Sequence, residues 1–217
     1  MRIAVLGTGT MGATVGRLFA RSGHAVVFGS RSPERGRIAA GALGGQASGG
    51  GCREAVERGE LTVLAALWSD VPEILRRSGP WDGRILLDCS NPEPSNGRGL
   101  EIGHATSGAE EIARIARGAR VVKALNHLYA EALDVVEGCV PGPAAFYCGD
   151  DAEAKAAVAG LLSGAGLTAV DAGPLTSARY LEPLAALMVE LVRGQGRDPR
   201  SVALRVPENA AVVDMRS

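Results

Sequence analysis

The stretch MRIAVLGTGTMG, residues 1–12, decides the fold of this protein. Its apolar run, 2–6, has the composition of a buried parallel strand and leads directly into a G-x-G-x-x-G pattern. A helical pattern (11–22) and a second apolar run (25–28) follow, which gives strand, helix and strand within the length of one βαβ unit. A glycine pattern in this position is typical of a dinucleotide-binding turn.

The three glycines of the pattern have separate roles in such a turn. Gly7 allows the tight turn, Gly9 lets the backbone approach a pyrophosphate, and Gly12 lets the helix pack closely on the strand. The N-terminus of the helix then faces the anion with its free N–H groups. The predicted dinucleotide-binding residues of this turn are Gly7, Thr8, Gly9, Thr10, Met11 and Gly12.

The end of the second strand indicates which dinucleotide binds. An acidic residue there would bind the 2′-hydroxyl of NAD, but the chain has Gly29-Ser30-Arg31-Ser32. Serine hydroxyls and the guanidinium of Arg31 suit phosphate oxygens, and Arg35 lies one helical turn further on. We therefore predict NADP(H), against the alternative that Arg31 is a solvated turn residue. The predicted ligands of the 2′-phosphate are Ser30, Arg31, Ser32 and Arg35.

Apolar runs continue to alternate with helical patterns along the chain. Further strands are predicted near 46–47 and at 61–67, 84–88, 120–125, 145–148 and 168–171, with helices at 33–40, 52–58, 71–77, 109–116, 129–136, 152–162 and 177–193. This alternation predicts an α/β fold with a Rossmann-type doubly wound parallel sheet. The glycine- and proline-rich run 138–143 predicts a domain boundary. We therefore expect an NADP-binding domain at 1–140 and a small C-terminal α/β lobe at 141–217.

Ligands of such sheets bind beyond the carboxyl ends of the strands, so the residues after the fourth to sixth strands are expected to line the nicotinamide and substrate pocket. Trp68 is expected to pack more than to stack, and Asn91 to shape the backbone and touch the cofactor. His127 could donate to a carbonyl, act as a general acid, cap the pocket, or start a helix without chemistry. Lys123, inside the sixth strand, is buried near the cofactor or snorkels outwards. The predicted lining residues are Ala66, Leu67, Trp68, Asn91, Pro92 and, as the candidate catalytic residue, His127.

Charge and composition exclude several other function classes. The formal net charge is −1, from 23 Lys and Arg against 24 Asp and Glu, so the basic surplus of a nucleic-acid or anionic-membrane binder is absent. No apolar run approaches the roughly 18 residues of a membrane span, and residues 1–12 lack the order of a signal peptide, so we expect a cytoplasmic protein. The four cysteines have no metal-ligand spacing, and no metal site is predicted.

Beyond these motifs, the chain resembles the family of F420-dependent NADP oxidoreductases. The resemblance is carried by 1–34, by LLDCSNP (86–92), by GARVVKALN (118–126) and by 149–191, and it covers about residues 1–193. It implies an N-terminal Rossmann domain, a small C-terminal lobe that partly covers the cleft, and a homodimer. A deazaflavin, coenzyme F420, would stack on the nicotinamide in a largely apolar pocket and exchange a hydride with it. The residues that the resemblance assigns to NADP are Thr8, Gly9, Ser30, Arg31 and Ser32, with Arg35 where another basic residue is expected.

Three functions are open at this point. The resemblance favours hydride transfer between NADPH and coenzyme F420, with Thr10, Met11, Asn91 and His127 around the reacting rings. An NADPH-dependent reductase of a small carbonyl or imine would use His127 as its proton donor, and a non-catalytic NADP(H) sensor would bind the cofactor without turnover. The chain departs from the usual family pattern at Leu67, where a proline is typical, and at His127, where a threonine is typical.

Overall fold

One eight-stranded sheet organises the computed structural model, which describes residues 1–45, 47–94, 99–103, 105–136 and 141–206. The strands are β1 (Arg2–Leu6), β2 (Ala25–Ser30), β3 (Ser48–Gly51), β4 (Leu61–Leu64), β5 (Ile85–Asp88), β6 (Arg120–Ala124), β7 (Ala144–Gly149) and β8 (Thr168–Asp171). They lie in the order β3-β2-β1-β4-β5-β6-β7-β8, and β1 to β6 are parallel. The order reverses between β1 and β4, which places a topological switch point at the glycine turn.

Helices cover both faces of this sheet. They are α1 (Thr10–Arg21), α2 (Pro33–Leu43), α3 (Cys52–Arg58), α4 (Val71–Ser78), α5 (Gly108–Ile115), α6 (Ala130–Asp134), α7 (Ala152–Gly164) and α8 (Ala178–Val189), with 3-10 turns at Trp68–Asp70 and Leu175–Ser177 and a π-helical turn at Glu190–Gly194. One core packs under α1, α2, α6 and α7, and a second packs under α3, α4, α5 and α8. Within the described part of the chain, none of the helices is long and apolar enough to cross a membrane.

The side chains of β1 show how the two cores are divided. Ile3 and Val5 are buried with Phe19 of α1 on one face, whereas Ala4 and Leu6 are buried on the other. A parallel strand that is covered on both faces has to be apolar almost throughout, which is why this strand shows a continuous apolar run. The predicted Rossmann-type doubly wound α/β fold is confirmed.

The direction of β7 departs from the expected parallel sheet. This strand runs antiparallel to β6, and β8 is parallel to β7. Between β6 and β7 the described residues contain a single helix, α6, whose 5 residues span about 7.5 Å. A parallel strand would require the connection to return the chain about 16 Å, the length of the 5 residues of β6, and α6 alone does not cover that distance.

The predicted domain boundary near residue 140 lies outside the described residues, which omit 137–140. On either side of it the strands belong to one sheet, and one core contains both Phe19 of α1 and Leu162 of α7. On the opposite face of the sheet, α8 packs against α5. The segment that follows the boundary therefore extends the sheet and covers part of its second face.

The location of β3 also differs from the prediction. The strand is Ser48–Gly51, later than the predicted position, and Gln46 lies outside the described residues. Glycine-rich sequence carries no strand signal, because glycine is disfavoured in strands. Here α2 packs so closely on β3 that a Cβ at Gly49 would lie 2.0 Å from the carbonyl oxygen of Gly36.

Candidate functional site

Contacts that only glycine permits hold the turn between β1 and α1. Gly7 has a φ of 128°, in the region that favours glycine, and a Cβ there would lie 2.0 Å from the carbonyl oxygen of Ala65. A Cβ at Gly12 would lie 2.2 Å from the carbonyl oxygen of Gly7. The passage of Ala65 against Gly7 is also why β4 ends at Leu64 and not, as predicted, at residue 67.

Gly9 differs from the other two glycines of the pattern. No heavy atom of the described residues lies within 4 Å of its Cβ position. Gly9 is the N-cap of α1 and has no side chain to satisfy the first N–H groups, and the first turn of α1 carries no acidic residue. Those N–H groups are therefore open to an anion, and the backbone at Gly9 permits its close approach. The residues of this turn fit a pyrophosphate.

Arg31 leaves the end of β2 and pairs with Asp70. Its Nη1 and Nη2 donate to the two carboxylate oxygens of Asp70 at 2.6 and 2.8 Å, and the Arg31 side chain stays 48% exposed. Asp70 ends the 3-10 turn that follows β4, so the pair joins the loops on the two sides of β1. This partner was not predicted, because the two residues are 39 positions apart in the chain.

The other residues predicted for the 2′-phosphate, and Thr8 of the glycine turn, lie near the same end of β2. Thr8 and Arg35 line one cavity of about 400 Å³ between α1 and α2. Ser30 is the last residue of β2, and Ser32 is the N-cap of α2, where its hydroxyl makes no capping hydrogen bond. The structure thus places two guanidinium groups and several hydroxyls around the carboxyl end of one strand.

The residues after β4 form an apolar surface at the same edge of the sheet. Leu67 is 74% exposed, whereas Ala66 and Trp68 are half-buried and pack against the core under α3 and α4. Pro92, after β5, is buried beside Gly108 at the start of α5.

Two asparagines join the loops that follow β5 and β6. Asn91 donates from Nδ2 to the carbonyl oxygen of Asn126 at 2.9 Å, and Asn126 donates from Nδ2 to Oδ1 of Asn91 and to the carbonyl oxygen of Leu181, both at 2.9 Å. Leu125, just before, has a φ of 65°, a left-handed conformation that costs roughly 1–2 kcal/mol for a residue with a Cβ. Strained backbone conformations of this kind are frequent at functional sites. Here the conformation of Leu125 precedes Asn126, whose side chain contacts Asn91 and α8.

His127 is buried between the end of β6 and β7. Its side chain is 4% exposed, its ring lies 5.3 Å from that of Phe146, and its Nε2 is 3.0 Å from the carbonyl oxygen of Ala144. A carbonyl oxygen only accepts, so Nε2 carries the hydrogen and Nδ1 is an acceptor, with no partner among the described residues. Burial lowers the pKa of His127, against a smaller raising effect of the Ala144 hydrogen bond, which favours a neutral imidazole.

Lys123 lies in a fully buried cluster of charged side chains, and its partners were not predicted from the sequence. Its Nζ donates to Oδ2 of Asp88 at 2.7 Å, to the carbonyl oxygen of Ser90 at 2.8 Å and to Oε1 of Glu182 at 3.0 Å. Both carboxylates and the ammonium are at most 1% exposed. Burial alone lowers the pKa of Lys123, but the two carboxylates outweigh it and raise the pKa above its usual value. We call Asp88, Lys123 and Glu182 the buried triad.

Glu182 also connects α8 to α5. Its carboxylate accepts from the backbone N–H groups of Gly108 and Ala109 at 2.9 and 3.1 Å, so it satisfies the first turn of α5. Two signals in the sequence point to the triad. An acidic residue ends one buried strand where a lysine lies inside the next, and a glutamate interrupts an apolar helix. Neither signal shows which charged residues contact one another, because those contacts depend on strand register and on helix packing.

Comparison with known proteins shows the family. The family model described as NADP oxidoreductase coenzyme F420-dependent matches residues 2–92. The crystal structure of a proposed F420-dependent NADP reductase from Arthrobacter sp. FB24 is 31% identical, covers 89% of this chain and 94% of its own, and superposes with a TM-score of 0.81. This chain belongs to the F420-dependent NADP oxidoreductase family. The resemblance stated from the sequence is confirmed.

Two further relatives of this F420-dependent NADP oxidoreductase family member differ in name. The F420-dependent NADP reductase of Methanothermobacter marburgensis is 29% identical over 213 residues, covering 88% of this chain and 92% of that protein. Metalloreductase STEAP3 of Rattus norvegicus is 31% identical over 188 residues, which are 84% of this chain but 36% of that protein. The chain thus spans about a third of the metalloreductase. The family to which this chain belongs is one of NADP-dependent oxidoreductases.

Proposed function

We propose that this protein transfers a hydride between NADPH and coenzyme F420. The observation that carries the proposal is the glycine turn, where the Cβ direction of Gly9 is open beside the uncapped N-terminus of α1. In a family of NADP-dependent oxidoreductases this is the place for the pyrophosphate. The names of the Arthrobacter and Methanothermobacter relatives support F420 as the second substrate.

The 2′-phosphate is proposed to bind at the end of β2. Thr8, Ser30 and Ser32 offer hydroxyls there, and Arg31 and Arg35 offer positive charge. A guanidinium has five N–H groups, and the paired carboxylate engages two of those of Arg31. Three N–H groups are left for phosphate oxygens, so Arg31 can bind the cofactor without leaving its partner.

The reacting rings are proposed to lie at the carboxyl ends of β4 to β6. NADPH, when bound, supplies a hydride from C4 of its nicotinamide ring. Thr10 and Met11, at the start of α1, are proposed to lie beside the rings, and the proposed lining residues are Ala66, Leu67, Trp68, Asn91 and Pro92. An apolar surface suits flat rings held in contact, because direct hydride transfer requires positioning more than proton machinery.

His127 is proposed to be a wall of this pocket and not a proton donor. Its one hydrogen is bound to the carbonyl oxygen of Ala144, and its lowered pKa favours the neutral ring near pH 7. Reduction of a carbonyl or imine would need a proton that this imidazole does not offer. The geometry therefore supports a deazaflavin acceptor over that alternative. A homodimer and a cytoplasmic location stay predictions.

The test is the absorbance of the deazaflavin after mixing the protein with NADPH and oxidised coenzyme F420. We expect the absorption band to bleach with NADPH and to change far less with NADH. Bleaching with neither, while NADPH still binds, would contradict the proposed acceptor. In that case a screen of small carbonyls and imines separates a different reductase from a sensor without turnover.

A further inference from the structure

We propose that the buried triad carries a net negative charge that stabilises the oxidised, cationic nicotinamide and so sets the redox balance of the bound cofactor. This inference rests on the proposed nicotinamide position at the carboxyl ends of β4 to β6. It gives the triad a role beyond structure, in tuning the cofactor. The hydrogen bonding, the burial and the position of three side chains support this role.

The hydrogen bonds fix the charge of each member of the triad. All three N–H groups of the Lys123 ammonium donate to oxygen atoms. Asp88 accepts from the backbone N–H and the hydroxyl of Ser90 at 2.9 and 2.6 Å as well as from Lys123. Glu182 accepts from two backbone N–H groups and Lys123. With only donors facing them, both carboxylates are ionised, and the triad has one positive and two negative charges.

Neighbouring groups leave this excess negative charge in place. Burial raises the pKa of Cys89 and raises that of Cys148 to about 12, so both thiols are neutral, while Cys139 lies outside the described residues. The N-terminus of α5 contributes about half a positive charge against Glu182. That partial charge reduces the excess but does not cancel it.

The triad lies just inside the edge where the nicotinamide is proposed to bind. Asp88 is the last residue of β5, and Lys123 pairs with it in register. Asn91 and Asn126, in the loops that follow, are each three residues beyond a member of the triad, so at most about 10 Å of chain separates them from it. At an effective dielectric constant of about 20, one unit of charge over about 10 Å shifts an equilibrium on the order of tenfold.

Hydride transfer changes the charge of the ring by one unit. The hydride leaves C4 with the electron pair of its C–H bond and joins the acceptor, so the neutral nicotinamide of NADPH becomes a cation. A fixed negative charge nearby binds that cation more favourably than the neutral ring. The protein would then hold NADP⁺ at least as tightly as NADPH, which makes the bound NADPH a stronger hydride donor.

The test compares the dissociation constants of NADP⁺ and NADPH by titration calorimetry. We expect Glu182→Gln and Asp88→Asn each to raise the ratio of the NADP⁺ constant to the NADPH constant about tenfold, which corresponds to a rise of about 30 mV in the potential of the bound couple. Glu110→Gln is the matched control, since Glu110 pairs with Arg179 and joins α5 to α8 nearer the surface. That control should leave the ratio unchanged.

Several results would overturn the inference. A ratio within about twofold of wild type in a folded Glu182→Gln or Asp88→Asn variant would do so, and so would an equal shift in Glu110→Gln, which would mean that helix contact and not charge sets the ratio. Thermal unfolding shows which variants fold. The wild-type protein alone provides a further test. If it binds NADPH more than tenfold more tightly than NADP⁺, the protein does not stabilise the cationic ring.

The inference and the proposed function fail in different ways. If wild-type protein binds neither form of the cofactor, the proposed cofactor site is wrong and the inference falls with it. If the ratio shifts as expected but coenzyme F420 is not reduced, the role of the triad stands and only the proposed acceptor is wrong.

Discussion

Gly9 and Gly12 lie three residues apart in one turn, yet we expect alanine at Gly9 to weaken cofactor binding and alanine at Gly12 to lower stability. At Gly9, which has a φ of −77°, a Cβ meets no atom of the described residues within 4 Å. Gly9→Ala gains about 0.4–1 kcal/mol from a less flexible unfolded chain, and the loss of a glycine N-cap costs a similar amount. The free energy of unfolding should therefore change by less than about 0.5 kcal/mol.

Binding of NADPH should nevertheless weaken strongly in Gly9→Ala. The added methyl group occupies the space through which the pyrophosphate approaches the N-terminus of α1. Loss of one hydrogen bond from a backbone N–H to a charged oxygen costs about 1.5–3 kcal/mol, which is about 10- to 150-fold in the dissociation constant. Titration calorimetry with NADPH, beside chemical unfolding of the same protein, measures both effects.

Gly12→Ala is the contrasting variant. Its Cβ would lie 2.2 Å from the carbonyl oxygen of Gly7, so the turn or α1 has to move. Overpacking of this kind costs about 1–3 kcal/mol of stability. If Gly9→Ala binds NADPH within about threefold of wild type, the pyrophosphate does not bind at this turn and the reasoning is refuted. If Gly12→Ala is as stable as wild type, the close contact is not a constraint.

Three further outcomes are expected. Arg31→Ala should weaken NADPH binding much more than NADH binding, and equal losses in a binding titration would refute its contact with the 2′-phosphate. His127→Phe should preserve turnover within a few fold with an unchanged pH profile, whereas a general acid would lose about 10²–10⁴-fold and one limb of the profile. Lys123→Met should lose about 3–5 kcal/mol of stability because two buried carboxylates lose their cation. Chemical unfolding measures this loss, and a loss below about 1 kcal/mol would argue against a buried charge pair at this position.

Local sequence was enough to predict the glycine turn and the fold. The strand, the G-x-G-x-x-G pattern and the helix are consecutive, so their geometry depends on short-range constraints such as the positive φ at Gly7. The apolar strands also show their burial on both faces. β3 was misplaced because its glycines form a strand only where α2 covers them, and the antiparallel direction of β7 was missed because strand direction is not recorded in an apolar run. Both departures depend on packing between elements, which no local pattern records.

The sequence by itself determined that this chain builds a Rossmann-type sheet, and the residues after β2 predicted NADP(H) as its dinucleotide. Both signals lie within short contiguous segments. Only the tertiary structure decided which charged groups meet. Arg31 pairs with Asp70, which is 39 residues away in the sequence, and Lys123 pairs with Asp88, which is 35 residues away. Strand order and register bring these groups together, and at the fully buried Lys123 the neighbouring carboxylates raise the pKa of the ammonium. The residues that tune the site are therefore visible only in the folded chain.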